Sequence, residues 1–433
     1  MHRQIHYRRL NTDYGSYFPG FFVMRLNKVI KEIDGKMTFS DFTKEEFATF
    51  VHEYVHYLQD ISTTRGINGF VYVSKLLQLH FNIAATKFNE GVIYLPLDIE
   101  NLDVDNLYQA TELESLYQGT EDMFLKIHHA DCVKREIEEC LEGIISEKIY
   151  NINVYYDDKN IPYMLGQAAV SESMAYTIEH EAFGAEARVN EFPYNACELV
   201  CRQIYPQLLF NKAVFVAAME LSLMHYHSGD MFCFILSHMK DNNLCFNTVS
   251  EFENYFAEKT SHLLEDMSKE FQEAEECIKF LYPLNVDPVF DKTRDFVKKK
   301  LQAGLLSRKK DGLFIARMLE SKIPQQTLSD YIYKYGMPIM CDSAYAMYGT
   351  ELDGSITALL APLALYDVFQ RTNECFMYPY CKASNMEVCN CDECKNHPWT
   401  QAGKKSGRCF FGVYWYMYSL AGKKIVRKSK NAG

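Results

Sequence analysis

The segment Phe50-Val51-His52-Glu53-Tyr54-Val55-His56-Tyr57-Leu58-Gln59-Asp60 carries the most specific chemistry in the chain. On a helix His52 and His56 stand one turn apart on one face, so both imidazoles reach a single ion, and Glu53 lies beside them where it can hold a bound water. Zinc hydrolysis needs this arrangement. Three protein ligands leave one position open, the metal draws the pKa of its water towards 7, and a carboxylate takes the proton as the water attacks a carbonyl. In a chain of this length and composition a His-Glu-x-x-His string arises by accident roughly 0.03 times. The competing reading is an amphipathic helix with Phe47, Val51, Tyr54, Val55 and Leu58 inward and Thr49, His52, Glu53, His56, Gln59 and Asp60 in water. No Lys or Arg occurs from Glu46 to Ile61, and solvated helix faces are usually rich in them, which favours the metal.

A third ligand must come from elsewhere. A buried carboxylate without a partner is costly, so a lone Glu inside an apolar helix is a ligand candidate. Glu172 is the one charged side chain from Ile161 to Ile178, and Tyr176 and Glu179 follow it at helical spacing on the same face. Glu220, the one charge from Ala213 to Met224, is its rival, with Glu179 and His180 as further alternatives. For either Glu the bland reading is a buried pair with an Arg. Asp60, four residues after His56, is placed to accept that ring's second N–H and so fix its tautomer. Tyr176, His180, His225 and His227 are candidate donors to the oxyanion of a tetrahedral intermediate.

His52-Glu53-Tyr54-Val55-His56 resembles the zinc-binding helix of the zincin metallopeptidases, which implies His52 and His56 as zinc ligands and Glu53 as general base. The extended metzincin pattern asks for Gly where this chain has Gln59 and for His where it has Ser62. The chain is instead similar to the gluzincins, whose third ligand is a Glu on a later helix, and Glu172 in Glu-Ser-Met-Ala looks like the small-residue setting of that ligand.

Farther along, Cys375, Cys381, Cys389, Cys391, Cys394 and Cys409, with His397, crowd into thirty-five residues. Cys389-x-Cys391-x-x-Cys394-x-x-His397 is dense enough to suggest a second, structural zinc that organises a polar, turn-rich segment. Unligated thiols and an iron–sulfur cluster are the alternatives, although no ferredoxin spacing is present. Lys382, Lys395, Lys404, Lys405 and Arg408 around the cluster suit a contact with a substrate or partner.

What must position these groups is a chain of 433 residues, 48% hydrophobic and 24% charged, which folds around a large core of two to four units. A net charge of −12 argues against nucleic acid as the main partner. The amino terminus has no apolar run suited to a signal peptide, and the uncharged stretches are too short to span a bilayer, so the expectation is a cytoplasmic protein with reduced cysteines and no membrane association.

The sequence predicts strands at Phe21–Leu26, Val92–Leu95 and Asn151–Tyr156, and a hairpin about Asp34-Gly35. Thr43 and Glu46 have capping-box spacing and open a helix to about Ile61, with a second helix over Phe70–Lys87. Further helical patterns lie near 121–148, 163–183, 207–240 and 247–280, and the basic runs at 298–310 and 423–430 read as solvated surface. The expected class is mainly α (α+β). A zincin-like core with a small sheet fills 1–190, a helical domain 191–370, and a Cys-rich module 371–433.

These readings converge on a zinc metallopeptidase with Glu53 as base and zinc on His52, His56 and Glu172. The large helical remainder suggests a restricted protein or peptide substrate, or activity gated by a regulatory protein partner. A zinc hydrolase of a non-peptide amide or ester is the alternative. A non-enzymatic interaction protein, with zinc at the cysteines alone, is the rival from another class.

Overall fold

Thr43 starts the helix that matters most. Its hydroxyl accepts the backbone N–H of Glu46 at 3.2 Å, and the Glu46 carboxylate accepts the N–H of Thr43 at 2.8 Å, so the expected capping box is made. Such a cap is worth about 1 kcal/mol. The helix it opens, α1 (Lys44–Ser62), is buried at every residue from Ala48 to Ser62. Its polar side is therefore not solvated: His52, Glu53, His56, Gln59 and Asp60 lie inside with the apolar stripe. Each large apolar side chain on α1 contributes about 1.5–3 kcal/mol by leaving water, enough to carry several polar groups that have partners.

The computed structural model describes residues 10–11, 15–30, 32–33, 36–37, 41–86, 91–95, 97, 114, 116–120, 125–126, 129–137, 147–156, 159–183, 191–320, 324–348, 356–370, 375–383, 392–402 and 409–427. Over these the chain is mainly helical with small sheets. After α1 come α2 (Thr64–Thr86), α3 (Gln167–Phe183), α4 (Ala196–Ile204), α5 (Lys212–Leu223), α6 (Ser228–Asp241), α7 (Val249–Ala257), α8 (Ser261–Leu281), α9 (Pro288–Asp311) and α10 (Pro324–Tyr335). The C-terminal helices are α11 (Ile356–Gln370), α12 (Tyr378–Ala383), α13 (Asp392–Asn396), α14 (Pro398–Ala402) and α15 (Phe410–Met417). Among the described residues no helix is long and apolar enough to cross a membrane.

Helices α2, α3 and α9 pack on α1. The second helix begins earlier than expected: α2 starts at Thr64, directly after α1, and runs through Gly66 and Gly69. Gly66 makes that junction possible, because a Cβ there would stand 2.4 Å from the Cα of Asp60. Gly304 does the same for α9, where a Cβ would meet the carbonyl oxygen of Ile61 at 1.8 Å. On α3, Ala168, Ala169, Ser173 and Ala175 are buried, and such short side chains let helices approach closely.

A five-stranded sheet runs in the order Leu10–Asn11, Gly15–Phe18, Val23–Leu26, Ile339–Cys341, Met347–Tyr348. Its one parallel pairing sets Val23 against Ile339. The predicted hairpin is present, with Glu32 opposite Met37. Val92–Leu95 is a strand as expected, and its parallel partner is Lys424–Arg427 of the basic tail, where Lys424 remains exposed. Segments from all three expected domains therefore share sheets, and one hydrophobic cluster runs from Tyr17 to Leu420.

The helix expected near 121–148 is replaced by strands. His129–Ile137, Glu147–Tyr156 and Lys159–Met164 form a three-stranded antiparallel sheet, with Val133 opposite Asn151 and Ile161 opposite Val154. The sequence Ile149-Tyr-Asn-Ile-Asn-Val-Tyr-Tyr156 is rich in the β-branched and aromatic types that favour strands. The pattern at 207–240 is also divided. A short 3-10 turn at Pro206–Phe210 precedes α5, and α6 restarts where His227 accepts the N–H of Asp230 at 3.2 Å.

Candidate metal centre

Helices α1 and α3 bring His52, His56 and Glu172 together. The Nε2 atoms of His52 and His56 are 3.1 Å apart, Glu172 Oε2 is 3.2 Å from the first and 3.5 Å from the second, and all three side chains are buried. Three donors bonded to one zinc at about 2.0–2.1 Å in a tetrahedron stand about 3.3 Å from one another. The observed triangle matches that size, and the set could hold a metal ion. Two imidazoles and a carboxylate are also the donor types that zinc takes in hydrolytic centres.

The outer nitrogens of both rings are held. His52 Nδ1 lies 3.0 Å from Glu179 Oε2, and His56 Nδ1 lies 2.8 Å from Gln59 Oε1. An Nδ1–H donated outwards leaves the Nε2 lone pair facing inwards, which is the tautomer a metal requires. Gln59 in turn donates from Nε2 to the carbonyl of Ser171 at 3.0 Å, tying α1 to α3 beside Glu172. Asp60 is not the partner of His56. It accepts the N–H of Gly20 at 2.6 Å, while Gln59, three residues from His56, is the acceptor.

Electrostatics divides the two rings. Burial lowers the basicity of His52, but hydrogen bonds to Glu172 and Glu179 outweigh it and hold its pKa well above the ordinary value. For His56 burial prevails over the attraction of Glu172, and its pKa falls.

Aromatic side chains pack against both imidazoles. The Tyr17 ring stacks on His56 at 6.4 Å, and Tyr194 meets His52 edge-on at 5.9 Å. Tyr176 lies 5.4 Å from Tyr194 and 6.0 Å from His180, so two of the four proposed oxyanion donors border the centre. Tyr176, Glu179, His180 and Tyr194 are half-buried, whereas Glu53 is fully buried. The other two donors are used elsewhere: His227 caps α6 and packs on Tyr117, and His225 Nδ1 accepts the N–H of His227 at 3.1 Å.

Glu220 belongs to another network. Arg308 donates to it, and the N–H groups of Ile315 and Ala316 reach it at 3.1 and 2.7 Å. Arg308 also donates to the carbonyl and hydroxyl of Ser62 at 2.8 and 3.0 Å, anchoring the end of α1. The buried Glu–Arg pair thus accounts for Glu220, and it takes Arg308, 3% exposed, out of the solvated 298–310 run, whose Lys298, Lys299, Lys309 and Lys310 are exposed as expected. A cavity of about 660 Å³ opens over this network, lined among others by Glu253, Asp311, Arg317 and Lys334. Two ion pairs cross its walls, Arg317–Glu253 at 2.5 Å and Lys334–Asp311 at 2.9 Å.

At the cysteine cluster, Cys375, Cys381, Cys394 and Cys409 are buried. Cys389 and Cys391 lie outside the described residues. His397 is exposed, with its ring 5.5 Å from Trp399.

Sequence reasoning missed Gln59, Tyr17 and Tyr194, and it ranked Glu179 as a ligand rather than as a ligand's support. For Glu179 a signal was present, since it shares the face of Glu172. No family model, curated protein or solved structure matches the chain, so the chemistry of this centre rests on its own residues.

Proposed function

We propose that the chain is a zinc-dependent hydrolase of the zincin, gluzincin-like kind, cleaving peptide bonds in a restricted protein or peptide substrate. The observation that carries the reading is the triangle of His52 Nε2, His56 Nε2 and Glu172 Oε2, with sides of 3.1, 3.2 and 3.5 Å and both outer ring nitrogens held. Zinc bound there supplies a Lewis acid that polarises a carbonyl and lowers the pKa of a water.

Glu53, next to His52 on α1, serves as the base. It takes a proton from the attacking water and passes it to the leaving amine nitrogen, so the carboxylate ends as it began. Tyr176 and Tyr194, at the half-buried margin, have hydroxyls of the type that stabilises an oxyanion. The ligands are 1–3% exposed, so a folded protein surface does not reach them as they stand. A flexible segment, or opening by a partner, fits better. A cytoplasmic setting agrees with free cysteines at Cys197, Cys201, Cys233 and Cys277.

The test compares wild type with Glu53→Gln in zinc content and in proteome-wide mapping of new peptide termini. Glu53→Gln should keep its zinc and lose cleavage by about 100-fold or more. A zinc-loaded variant with undiminished turnover removes Glu53 from the base role, and a wild type without metal removes the reading.

A further inference from the structure

We propose that the cavity at the end of α9 binds a diphosphate group, either free or carried on a small organic molecule such as a nucleoside. Its volume of about 660 Å³ falls in the range of small-molecule sites, and it shares no lining residue with the metal centre. The polar groups of its walls do not balance. Each acid is already engaged. Glu253 takes the Arg317 guanidinium at 2.5 Å and the N–H of Leu313 at 3.1 Å, and Asp311 takes Lys334 at 2.9 Å and the Tyr335 hydroxyl at 3.4 Å. Asp330, the third acid of the lining, is exposed and has contacts of its own. On the donor side three groups are left over. Arg317 gives Nη1 to Ser250 at 3.0 Å and Nη2 to Glu253, but its Nε–H is buried without an acceptor. Lys309 and Lys310 both line the cavity, and among the described residues their ammonium groups make no ion pair or hydrogen bond.

A buried N–H without an acceptor is costly, and an oxyanion with several acceptor atoms answers it together with both lysines. Phosphate suits the set, because ammonium groups meet it as point charges and an Arg N–H donates to it along a fixed direction. A single carboxylate brings one charge to two lysines, whereas a diphosphate matches both. The negative end of the α9 dipole opposes an anion, but Arg308 covers it by donating to the Gly312 carbonyl at 2.8 Å. Arg308 itself is spent on Glu220, so the ligand depends on Lys309, Lys310 and Arg317. The frame that holds them is firm. Phe314 stacks on Tyr335 at 4.2 Å, and the Tyr331 hydroxyl donates to the Phe314 carbonyl, which locks α10 to the turn leading into Arg317. Leu264 and Tyr331 give the cavity an apolar margin on which an organic body can lie. The inference does not depend on the hydrolytic reading.

Calorimetric titration of the full-length chain with pyrophosphate, ADP and adenosine tests this. The same titrations on His52→Ala with His56→Ala separate the cavity from phosphate held by a metal. Pyrophosphate or ADP should bind once per chain in both proteins, and adenosine about tenfold more weakly or worse. Lys309→Ala with Lys310→Ala, both at exposed positions, should weaken binding about tenfold or more. Arg317→Lys keeps a cation for Glu253 and removes the Nε–H, and it should cost about fivefold. ADP binding tighter than pyrophosphate supports the site with an organic carrier, and equal affinities support it with the free diphosphate. Neither compound binding at millimolar concentration, adenosine matching ADP, unchanged affinity in the lysine variant, or binding that disappears with the two histidines overturns the proposal.

Discussion

Glu179 Oε2 lies 3.0 Å from His52 Nδ1, two helical turns along α3 from Glu172, whose Oε2 faces the other nitrogen of the same ring. One helix thus grips one imidazole from both sides. In the proposed centre the inner carboxylate serves as a metal donor, and the outer one fixes the tautomer and raises the basicity of the ring. Replacing Glu179 by Ala should weaken zinc binding about 10–100-fold, and Gln, which still accepts the Nδ1–H, should cost less. Competition against a chromophoric chelator measures both. Equal affinities for wild type and the Ala variant would mean that the contact holds nothing in place.

The two lone glutamates separate in their consequences. Glu172→Ala should abolish stoichiometric zinc at the first centre while the fold survives, because the two imidazoles it leaves are neutral or singly charged. Glu220→Ala should keep the zinc but cost about 3–5 kcal/mol, since it strands the Arg308 guanidinium in the interior. Zinc content and urea unfolding of the two variants check this. Loss of zinc from the Glu220 variant at full occupancy of the folded state would count against the assignment.

The residues that were legible in the sequence are those whose role is local. Thr43 and Glu46 announce a capping box by spacing alone, and His52 and His56 share a face by helical geometry alone. Glu172 was legible because an apolar helix tolerates a lone carboxylate only with a partner. Gln59 and Asp60 were not separable, since both follow His56 within one turn and the choice depends on Gly20 and Ser171, brought in by the tertiary fold. Arg308 was hidden for the same reason. It sits in a basic run whose other members are mostly exposed, and its partner Glu220 is 88 residues away. The strands at His129–Ile137 and Glu147–Tyr156 are stabilised by each other, which a window along one segment does not register.

Asp60 gives the protein a pH dependence of its own. Burial raises its pKa from 3.8 to about 7, against the opposing pull of the Gly20 N–H and the Tyr17 hydroxyl. Between those values the folded chain keeps a proton that the unfolded chain has released, so stability falls as pH rises through this window, by about 1.4 kcal/mol per unit for this group. Asp60→Asn removes the proton and preserves an acceptor for Gly20. Thermal unfolding at pH 5 and pH 8 should therefore show a smaller drop for the variant than for wild type. Parallel drops would show that Asp60 is not the group responsible.

Gly304 and Gly69 make a matched pair for testing how α1 is held. Both lie inside helices, where Ala is ordinarily better than Gly by about 0.5–1 kcal/mol. At Gly69 a Cβ meets nothing within 4 Å, so Gly69→Ala should be neutral or stabilising by that amount. At Gly304 the Cβ would press on the Ile61 carbonyl at 1.8 Å, and the obstacle is backbone, which has no rotamer to give way. Gly304→Ala must push α9 off α1 close to Ser62, where Arg308 of the same helix holds the chain. The expected cost is about 1–3 kcal/mol or more, with a weaker zinc affinity as α1 shifts against α3. Denaturant unfolding and chelator competition on the two variants read both effects. If Gly304→Ala behaves like Gly69→Ala in both, α9 is not what fixes the register of the histidine helix.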